Sequence, residues 1–539
     1  MENKVLAALM EKFTENGALT NASTGSAFAD QFGKAGNYRM RDIDDVFHDQ
    51  SMLWVENPNY ALKFPFYLRL ITRKINVMDN SATSTVQRGQ GAKDEAFKRL
   101  LWIAVHHKDE FYRNLWLLPI VGSWKDLWTL LYYDTIYKIK SLEEEKVFDV
   151  IADGLSQKSQ MDLVKKFMPR IKTSSKCKTD WTRVTNHFAK NFANYCKISY
   201  KEYNHWKTSG TAHDFQKIIC ARKYDKINWN LIPGRALSDI AQGNFITRHN
   251  LDKPFTEWLV NSPTAKFTGY VYELSKKYFD AVRKYNCYIP LYKTELINRQ
   301  FDELIKKAKE DKKITSNVWC ALDTSGSMSC LIPGVKGNIC ALDVCLSLGI
   351  FFSELNEGAF HNNVIMFDDK SKVKQLSGTF TDKLRDLRNS ETAWGGTNFQ
   401  SIVDEIVNVR KKNPNIPLED YPTTILVVSD MQFNTWERGI DKEDAKKTNY
   451  QVMKEKLYTV FPKDFVDSMK FVWWDCISRK SDDFPATMDD GGCYFLSGFD
   501  GSIISLLLNE DVERKSKKPI SMKELIETAL NQEILSYVK

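Results

Sequence analysis

The stretch that most constrains the fold of this chain is residues 318–329, which read VWCALDTSGSMS. Its first five residues are apolar, which is typical of a buried strand. Asp323, Ser325 and Ser327 follow, so one carboxylate and two hydroxyls stand at the carboxyl end of that strand. Magnesium binds oxygen ligands, and open parallel sheets carry their sites at this end of their strands. The stretch therefore predicts a sheet with a cation site at its carboxyl edge.

Two later stretches supply the remaining oxygen ligands. Residues 394–399 read WGGTNF and place a threonine hydroxyl on a glycine-rich turn, and residues 424–430 read TILVVSD, a second apolar run that ends in a carboxylate. The set resembles, residue by residue, the metal-ion-dependent adhesion site of von Willebrand factor A domains: Asp323, Ser325, Ser327, Thr397 and Asp430. The resemblance implies a bound Mg²⁺ or another divalent cation. The alternative is a serine-rich turn between strand and helix that binds no metal.

Strand and helix patterns alternate from residue 316 onward, which predicts a doubly wound, mostly parallel sheet of the Rossmann type. Strands are predicted at residues 318–322, 363–367, 424–429, 470–475 and 493–496. Helices are predicted at residues 337–354, 382–388, 398–411 and 442–457. This von Willebrand factor A-like domain is expected to span residues 316–510. Residues 511–539 are expected to end in a helix, residues 522–538, that packs back on the helical half.

Residues 42–315 read as helical almost throughout and are expected to form an α-solenoid of HEAT-like repeats. Amphipathic helical patterns recur at residues 65–74, 95–105 and 124–133. The alternative is a helical domain without repeats. Residues 1–41 are expected to hold a helix, residues 3–15, followed by a loop or flexible arm over residues 16–38. The predicted class is therefore multidomain, α followed by α/β.

Composition excludes several classes of protein. No run of eighteen apolar residues predicts a membrane span, and the first residues lack the pattern of a signal peptide. Ten cysteines are scattered without a CxxC pair, which favours reduced thiols in a cytoplasmic protein. The protein is expected to be cytoplasmic, or associated with a virion if it is viral.

Basic residues are concentrated upstream of the sheet. The net charge is +7, yet residues 316–539 carry 26 basic and 33 acidic side chains. Residues 161–235 carry 16 basic against 5 acidic side chains, with aromatic residues between them. Such a segment favours phosphates and unpaired bases, although the aromatic residues alternatively form a helix core and the lysines a solvated face. Charge alone selects as RNA-binding candidates Lys165, Lys166, Arg170, Lys172, Lys176, Lys178, Arg183 and Lys190.

A helical half followed by an A domain resembles the Ro autoantigen (TROVE) family, and more closely its divergent relatives in plants, giant viruses and phages. The resemblance also rests on three helical motifs, GQG at 89–91, VGSWKDL at 121–127 and LIPGRA at 231–236. It implies a monomeric ribonucleoprotein whose helical ring binds the single-stranded ends of misfolded RNA and small structured RNA. A protein partner would offer a carboxylate to the metal.

Motifs of catalysis are missing from the sequence: there is no GxxxxGK[ST], HExxH or GxSxG. We therefore expect no enzyme. The first hypothesis is a non-catalytic RNA-binding scaffold that presents an A domain to a protein partner. The alternative is a protein–protein adaptor or virion-associated structural protein without RNA. A metal-dependent nuclease or phosphatase is a remote third.

Overall fold

The structure is a computed structural model. It describes residues 11–14, 16–75, 85–209, 214–285, 288–310, 317–333, 335, 338–390, 395–434, 448–477, 484–487, 490–499, 501, 507 and 519–539. The described residues form two compact units. The sheet unit comprises those of Met1–Arg39 and Trp229–Thr528, and the helical unit those of Met40–Asn228 and Ala529–Lys539. The described strands are β1 Glu11–Phe13, β2 Leu19–Asn21, β3 Ile71–Ile75, β4 Thr85–Gln90, β5 Val318–Asp323, β6 Asn363–Phe367, β7 Ser371–Gln375, β8 Thr424–Ser429, β9 Lys470–Asp475 and β10 Cys493–Ser497.

A six-stranded sheet in the order β10-β9-β8-β5-β6-β7 forms the centre of the sheet unit. Its pairings are parallel except that of β7, which runs antiparallel to β6 at the edge. Strands β5, β8, β9 and β10 are buried at every residue, as expected for parallel strands covered on both faces. The predicted α/β class is confirmed. The short, polar strand β7 carries no apolar run and was not predicted.

Helices flank this sheet. Ala341–Leu355 packs against β5, where a Cβ on Gly349 would come within 2.5 Å of the Leu322 side chain. Upstream helices also pack in this unit, because Ser275 and Ser347 share a buried 2.5 Å hydrogen bond. The helices are Ala27–Lys34, Gly234–Gln242, Phe245–Arg248, Asp252–Val260, Val271–Tyr285, Leu291–Glu310, Ala341–Leu355, Phe380–Arg388, Phe399–Lys412, Asn449–Tyr458, Lys463–Asp467 and Met522–Leu530, the last two residues of which fall in the helical unit. Short 3₁₀ turns occur at Trp229–Leu231, Gly326–Ser329, Gly358–Phe360 and Leu418–Asp420.

The N-terminal segment differs from its prediction. Residues 3–10 and 15 lie outside the described residues, but Glu11–Phe13 is a strand, paired antiparallel with Leu19–Asn21, and not the end of a helix. Residues 16–38 are not a flexible arm. They include the helix Ala27–Lys34, which is capped by the Ser26 side chain and packs against β10. Its apolar side chains are buried in the sheet unit, which fixes the segment.

The helical unit holds the remaining helices. They are Ile43–Glu56, Pro58–Arg69, Lys93–His106, Lys108–Asn114, Leu118–Val121, Lys125–Ile136, Glu144–Ser156, Met161–Phe167, Asp180–Tyr195, Tyr200–Ser209 and Asp214–Cys220. Short 3₁₀ turns occur at Leu115–Leu117, Ser174–Lys176, Tyr224–Lys226 and Glu533–Tyr537. The predicted boundary at residue 315 lies shortly before β5, whereas the packing boundary lies at residue 228. HEAT-like repetition stays a prediction. Among the described helices, none has the length and apolar composition to cross a bilayer.

Two helical predictions extended past the end of the observed helix. Residues 65–74 do not form one helix, because the helix ends at Arg69 and β3 pairs with β4 as a hairpin. The β-branched residues of ITRKI and the glycines at 89 and 91 favour strand and turn. The C-terminal helix ends at Leu530, since the Gln532 side chain donates to the Arg88 carbonyl at 2.8 Å and accepts from its amide. Residues 529–539 therefore pack on the helical unit.

Candidate functional site

The end of β5 supplies the first three candidate ligands. Asp323 is fully buried, and its Oδ1 accepts from the Ser325 amide at 2.9 Å, which folds the chain into a tight turn. The hydroxyls of Ser325 and Ser327 lie 3.1 Å apart. Two perpendicular ligands of Mg²⁺, each about 2.1 Å from the ion, stand about 3.0 Å from each other. The two hydroxyls are therefore spaced as neighbouring ligands of one ion.

Strand β8 supplies the second carboxylate at the same edge. The Ser429 hydroxyl donates to Asp323 Oδ2 at 2.5 Å, which joins the ends of the two strands. Asp430 is buried, and its Oδ1 accepts from the Gln432 amide at 3.2 Å. Met431 between them has φ +64°, a left-handed conformation that a non-glycine side chain adopts at a cost. The strained residue directly follows a candidate ligand.

Thr397 reaches this edge on a turn held from both sides. The amide of Asn434, four residues after Asp430, donates to the Thr397 carbonyl at 2.8 Å. The Gly396 amide donates to an Asp369 carboxylate oxygen, also at 2.8 Å. A Cβ on Gly395 would lie 2.0 Å from the same carboxylate, so a side chain there would push the Asp369 carboxylate aside. Thr397 is buried, and its backbone is bonded to the loop that follows Asp430.

Electrostatics at this edge favour a cation. Burial, and then the negative charge of Asp430, raise the pKa of the Asp323 carboxyl above its ordinary value, although Ser325 and Ser429 donate hydrogen bonds to it. Two buried carboxylates that repel each other are stabilised by a bound positive ion. The five sequence-predicted residues thus converge on one edge with oxygen donors only, a set that suits Mg²⁺. Within the described residues no three His, Cys, Asp or Glu side chains are placed to hold a metal ion together, so this set depends on its hydroxyl ligands as well as on Asp323 and Asp430.

The N-terminal segment borders the site and was missed by sequence reasoning. The Thr14 hydroxyl donates to the Phe433 carbonyl at 2.6 Å, and the Asn16 amide side chain donates to the Gln432 carbonyl at 2.7 Å. Gly17 forms a bridge to Asn434. The loop after Asp430 is therefore bonded to a segment more than 400 residues away in sequence. No local pattern signals such a pairing.

A buried ion pair lies beside this segment. Lys34 Nζ donates to Asp475 at the end of β9 at 2.9 Å, and both side chains are buried. Burial raises the pKa of the Asp475 carboxyl, although the Lys34 ammonium acts in the opposite direction. Asp475 thus has a protein cation beside it, whereas Asp323 makes no ion pair with any residue that the structure describes.

The basic segment lies mainly in the helical unit. Arg170, Lys172, Lys176, Lys178 and Arg183 are exposed, and Lys165, Lys166 and Lys190 are half-buried. Arg183 pairs with Asp180, and the Lys190 ammonium lies 5.9 Å from the centre of the Tyr200 ring. The aromatic residues divide. Phe188, Phe192 and Tyr203 are buried in the core, so their rings cannot stack on a nucleic-acid base. Tyr195 and Tyr200 are exposed.

Four of these cations sit on one loop, residues 168–179, called here the basic loop. The Asn204 side chain accepts from the Ile171 amide and donates to the Ile171 carbonyl, both at 3.0 Å. The Asn186 side chain accepts from the Lys172 amide at 2.7 Å. These bonds fix the backbone of the loop while its cationic side chains stay in solvent.

The helical motifs form structural contacts. In VGSWKDL, Asp126 makes a buried 2.6 Å ion pair with Arg69 and accepts from the Ser123 amide. A Cβ on Gly122 would lie 2.0 Å from the Asp126 carboxylate. In LIPGRA, Arg235 pairs with Glu273 in the sheet unit. These residues stabilise turns and helix packing within each unit.

Fold and site together define a class: a chain with a helical unit and a doubly wound sheet that carries two buried carboxylates at the carboxyl edge of its strands. Residues 318–534 match a family described as a domain of unknown function, DUF7788. An uncharacterized protein of Acanthamoeba polyphaga mimivirus, L728, is 24% identical over 531 residues, covering 93% of this chain and 85% of that protein. The crystal structure of the Deinococcus radiodurans RO (RSR) protein aligns at TM-score 0.43 and 11% identity, covering 89% of this chain and 98% of that one.

Proposed function

We propose that this protein is a non-catalytic scaffold that binds single-stranded or structured small RNA on the helical unit and a protein partner at a Mg²⁺-dependent edge of the sheet unit. The observation that carries the RNA proposal is the basic loop, whose backbone is fixed by Asn186 and Asn204 while its cations face solvent. Exposed lysine and arginine side chains at fixed positions suit the regularly spaced phosphates of a nucleic acid.

The metal proposal rests on the donor set at the carboxyl edge. Asp323, Ser325, Ser327, Thr397 and Asp430 would hold the ion, with Asp323 and Asp430 neutralising its charge. When bound, the ion supplies Lewis acidity toward one further oxygen ligand. A carboxylate of a protein partner suits that position, because hard cations bind carboxylate oxygens readily and three of the five protein ligands are neutral hydroxyls.

Absence of catalysis is part of the proposal. Two carboxylates hold one ion, whereas two-metal nucleases and phosphatases clamp ions roughly 4 Å apart and need more acidic ligands. The neighbouring acid Asp369 is engaged by the Gly396 amide, and Asp368 Oδ1 accepts from the Lys370 amide at 3.1 Å. These bonds hold the turn and the strand end, and we assign both acids to structure.

The test of RNA binding is charge reversal in the basic segment. Lys165, Lys166, Arg170 and Lys172 are replaced together by glutamate, and filter binding of a short single-stranded RNA is measured over a range of salt. Each lost phosphate contact should flatten the slope of log K against log salt by about 0.7. The matched control reverses four exposed lysines of the sheet unit, Lys372, Lys411, Lys412 and Lys463.

Equal losses in the two variants would show attraction by net charge alone and reject this surface as the site. Wild-type protein that neither retains nucleic acid during purification nor binds the probe would favour the alternative, a protein adaptor whose basic surface meets an acidic partner.

A further inference from the structure

One face of the helix Tyr200–Ser209 clamps the chain that precedes it. The Tyr203 hydroxyl donates to the Pro169 carbonyl at 2.9 Å. Asn204 makes its two bonds to Ile171, and Lys207 Nζ donates to the Lys166 carbonyl. Three side chains on one helix therefore bond to the backbone of the short stretch from residue 166 to 171.

The clamp brings three cations together. Lys207 bonds to the backbone of Lys166, and the charges of both Arg170 and Lys166 act on its ammonium. Burial first, and then these two charges, lower the pKa of Lys207. Neither Arg170 nor Lys207 forms an ion pair with any residue that the structure describes. Lysine and arginine side chains of like charge ordinarily move apart in water. Here hydrogen bonds from Asn204 and Lys207 hold the backbone that carries Lys166 and Arg170.

We propose that Lys166, Arg170 and Lys207 form a discrete site for one phosphate group, and that a backbone phosphate of bound RNA occupies it. The assignment of the occupant rests on the proposed RNA function. A phosphate carries enough negative charge and oxygen acceptors to bond with all three cations at once. Lys166 and Arg170 were already candidates from charge along the sequence, whereas Lys207 was not, because charge alone does not distinguish it from the other lysines of the segment. It lies a full turn beyond Tyr203 on the clamping face.

The first arm uses wild-type protein and no RNA. Lysines are acetylated at low reagent dose and quantified by mass spectrometry, with and without millimolar inorganic phosphate at constant ionic strength. Inorganic phosphate should protect Lys207 and leave Lys201 unprotected. Lys201 is the matched control because it is an exposed lysine on the same helix.

The second arm compares Lys207→Gln with Lys201→Gln by filter binding of a short oligouridylate across salt concentrations. Lys207→Gln should weaken binding about fivefold or more and flatten the salt slope by about 0.7, the share of one phosphate. Lys201→Gln should stay within about twofold of wild type. Circular dichroism of both variants checks that the helices remain folded.

The outcomes separate the two claims. If phosphate leaves Lys207 unprotected and the two glutamine variants bind alike, the discrete site is overturned, while a loss of RNA in the fourfold reversal would keep the RNA function. If phosphate protects Lys207 but wild-type protein binds no RNA, the phosphate site is upheld with free phosphate as its ligand, and the RNA function is overturned.

Discussion

At the scale of single residues, the candidate metal site depends on carboxylates that the fold buries before any ion is considered. Asp323 is withdrawn from water at the end of β5, and Asp430 acts on it from the end of the neighbouring strand. Their contribution to folding is unfavourable by itself, because burial of a charge costs free energy unless a partner compensates it. We therefore expect Asp323 and Asp430 to serve ligand binding and not stability.

Replacing Asp323 or Asp430 with alanine should therefore abolish Mg²⁺ binding without unfolding the sheet. We expect a loss of at least about 100-fold in affinity by calorimetry, because even residues that only orient a metal ligand cost about 10- to 100-fold. The control is Asp404→Ala, an exposed carboxylate that pairs with Lys456. Equal Mg²⁺ affinity in wild type and both variants would show that the site is misassigned.

Gly395→Ala tests the turn that carries Thr397. The added Cβ would displace the Asp369 carboxylate, which holds the turn through the Gly396 amide, so we expect the turn to loosen and Mg²⁺ affinity to fall about tenfold. Gly491→Ala is the matched control, since a Cβ there meets nothing within 4 Å. Unchanged calorimetry for Gly395→Ala would mean that the Thr397 turn takes no part in binding.

At the scale of elements, apolar runs identified the strands that bear the site, because a buried parallel strand needs a nearly continuous apolar sequence. Elements that depend on distant partners were not predictable. Strand β7 is polar, and the β3–β4 hairpin follows a helix that a simple amphipathic pattern extends too far. Lys207 looked like any lysine of its segment, since only the tertiary contacts of its helix distinguish it.

The clamp on the basic loop gives an element-scale prediction. Asn204→Ala removes both bonds to Ile171, so the loop must be ordered anew when RNA binds, and affinity should fall about three- to tenfold. Filter binding measures this loss, with Asn194→Ala, an exposed asparagine on Asp180–Tyr195, as control. If Asn204→Ala binds RNA like wild type, preorganisation of the loop is unimportant.

At the scale of the whole molecule, each unit is assembled from two pieces of chain that are distant in sequence. The sheet unit takes its first described residues from the N-terminal segment, and the helical unit takes residues 529–539 from the C-terminus. Sequence patterns alone predict a flexible arm at residues 16–38 and a long terminal helix at residues 522–538. Their true places follow from pairings such as that of Asn21 with Phe484, separated by 463 residues.

The two proposed functions should be separable. An ion held by two carboxylates adds no net positive charge, so it attracts RNA little over a distance. Asp323→Ala should leave RNA affinity within about threefold, less than ~0.7 kcal/mol, while binding of a protein partner is lost. Filter binding with and without magnesium chelation measures the affinity for RNA. A tenfold loss in the variant, reproduced by chelation of wild type, would mean that the metal touches RNA.

The bonds from Thr14 and Asn16 to the loop after Asp430 also determine when, during synthesis of the chain, the N-terminal segment can pair. At about 5 to 20 residues per second, a ribosome takes roughly half a minute to a minute and a half to make the residues between Asn21 and its partner Phe484. Throughout that interval Asn21 lacks this partner. The bonds of Thr14 and Asn16 can therefore form only after residues 432 and 433 have been made, and a nascent chain halted before residue 430 would carry an N-terminal segment that has not yet paired.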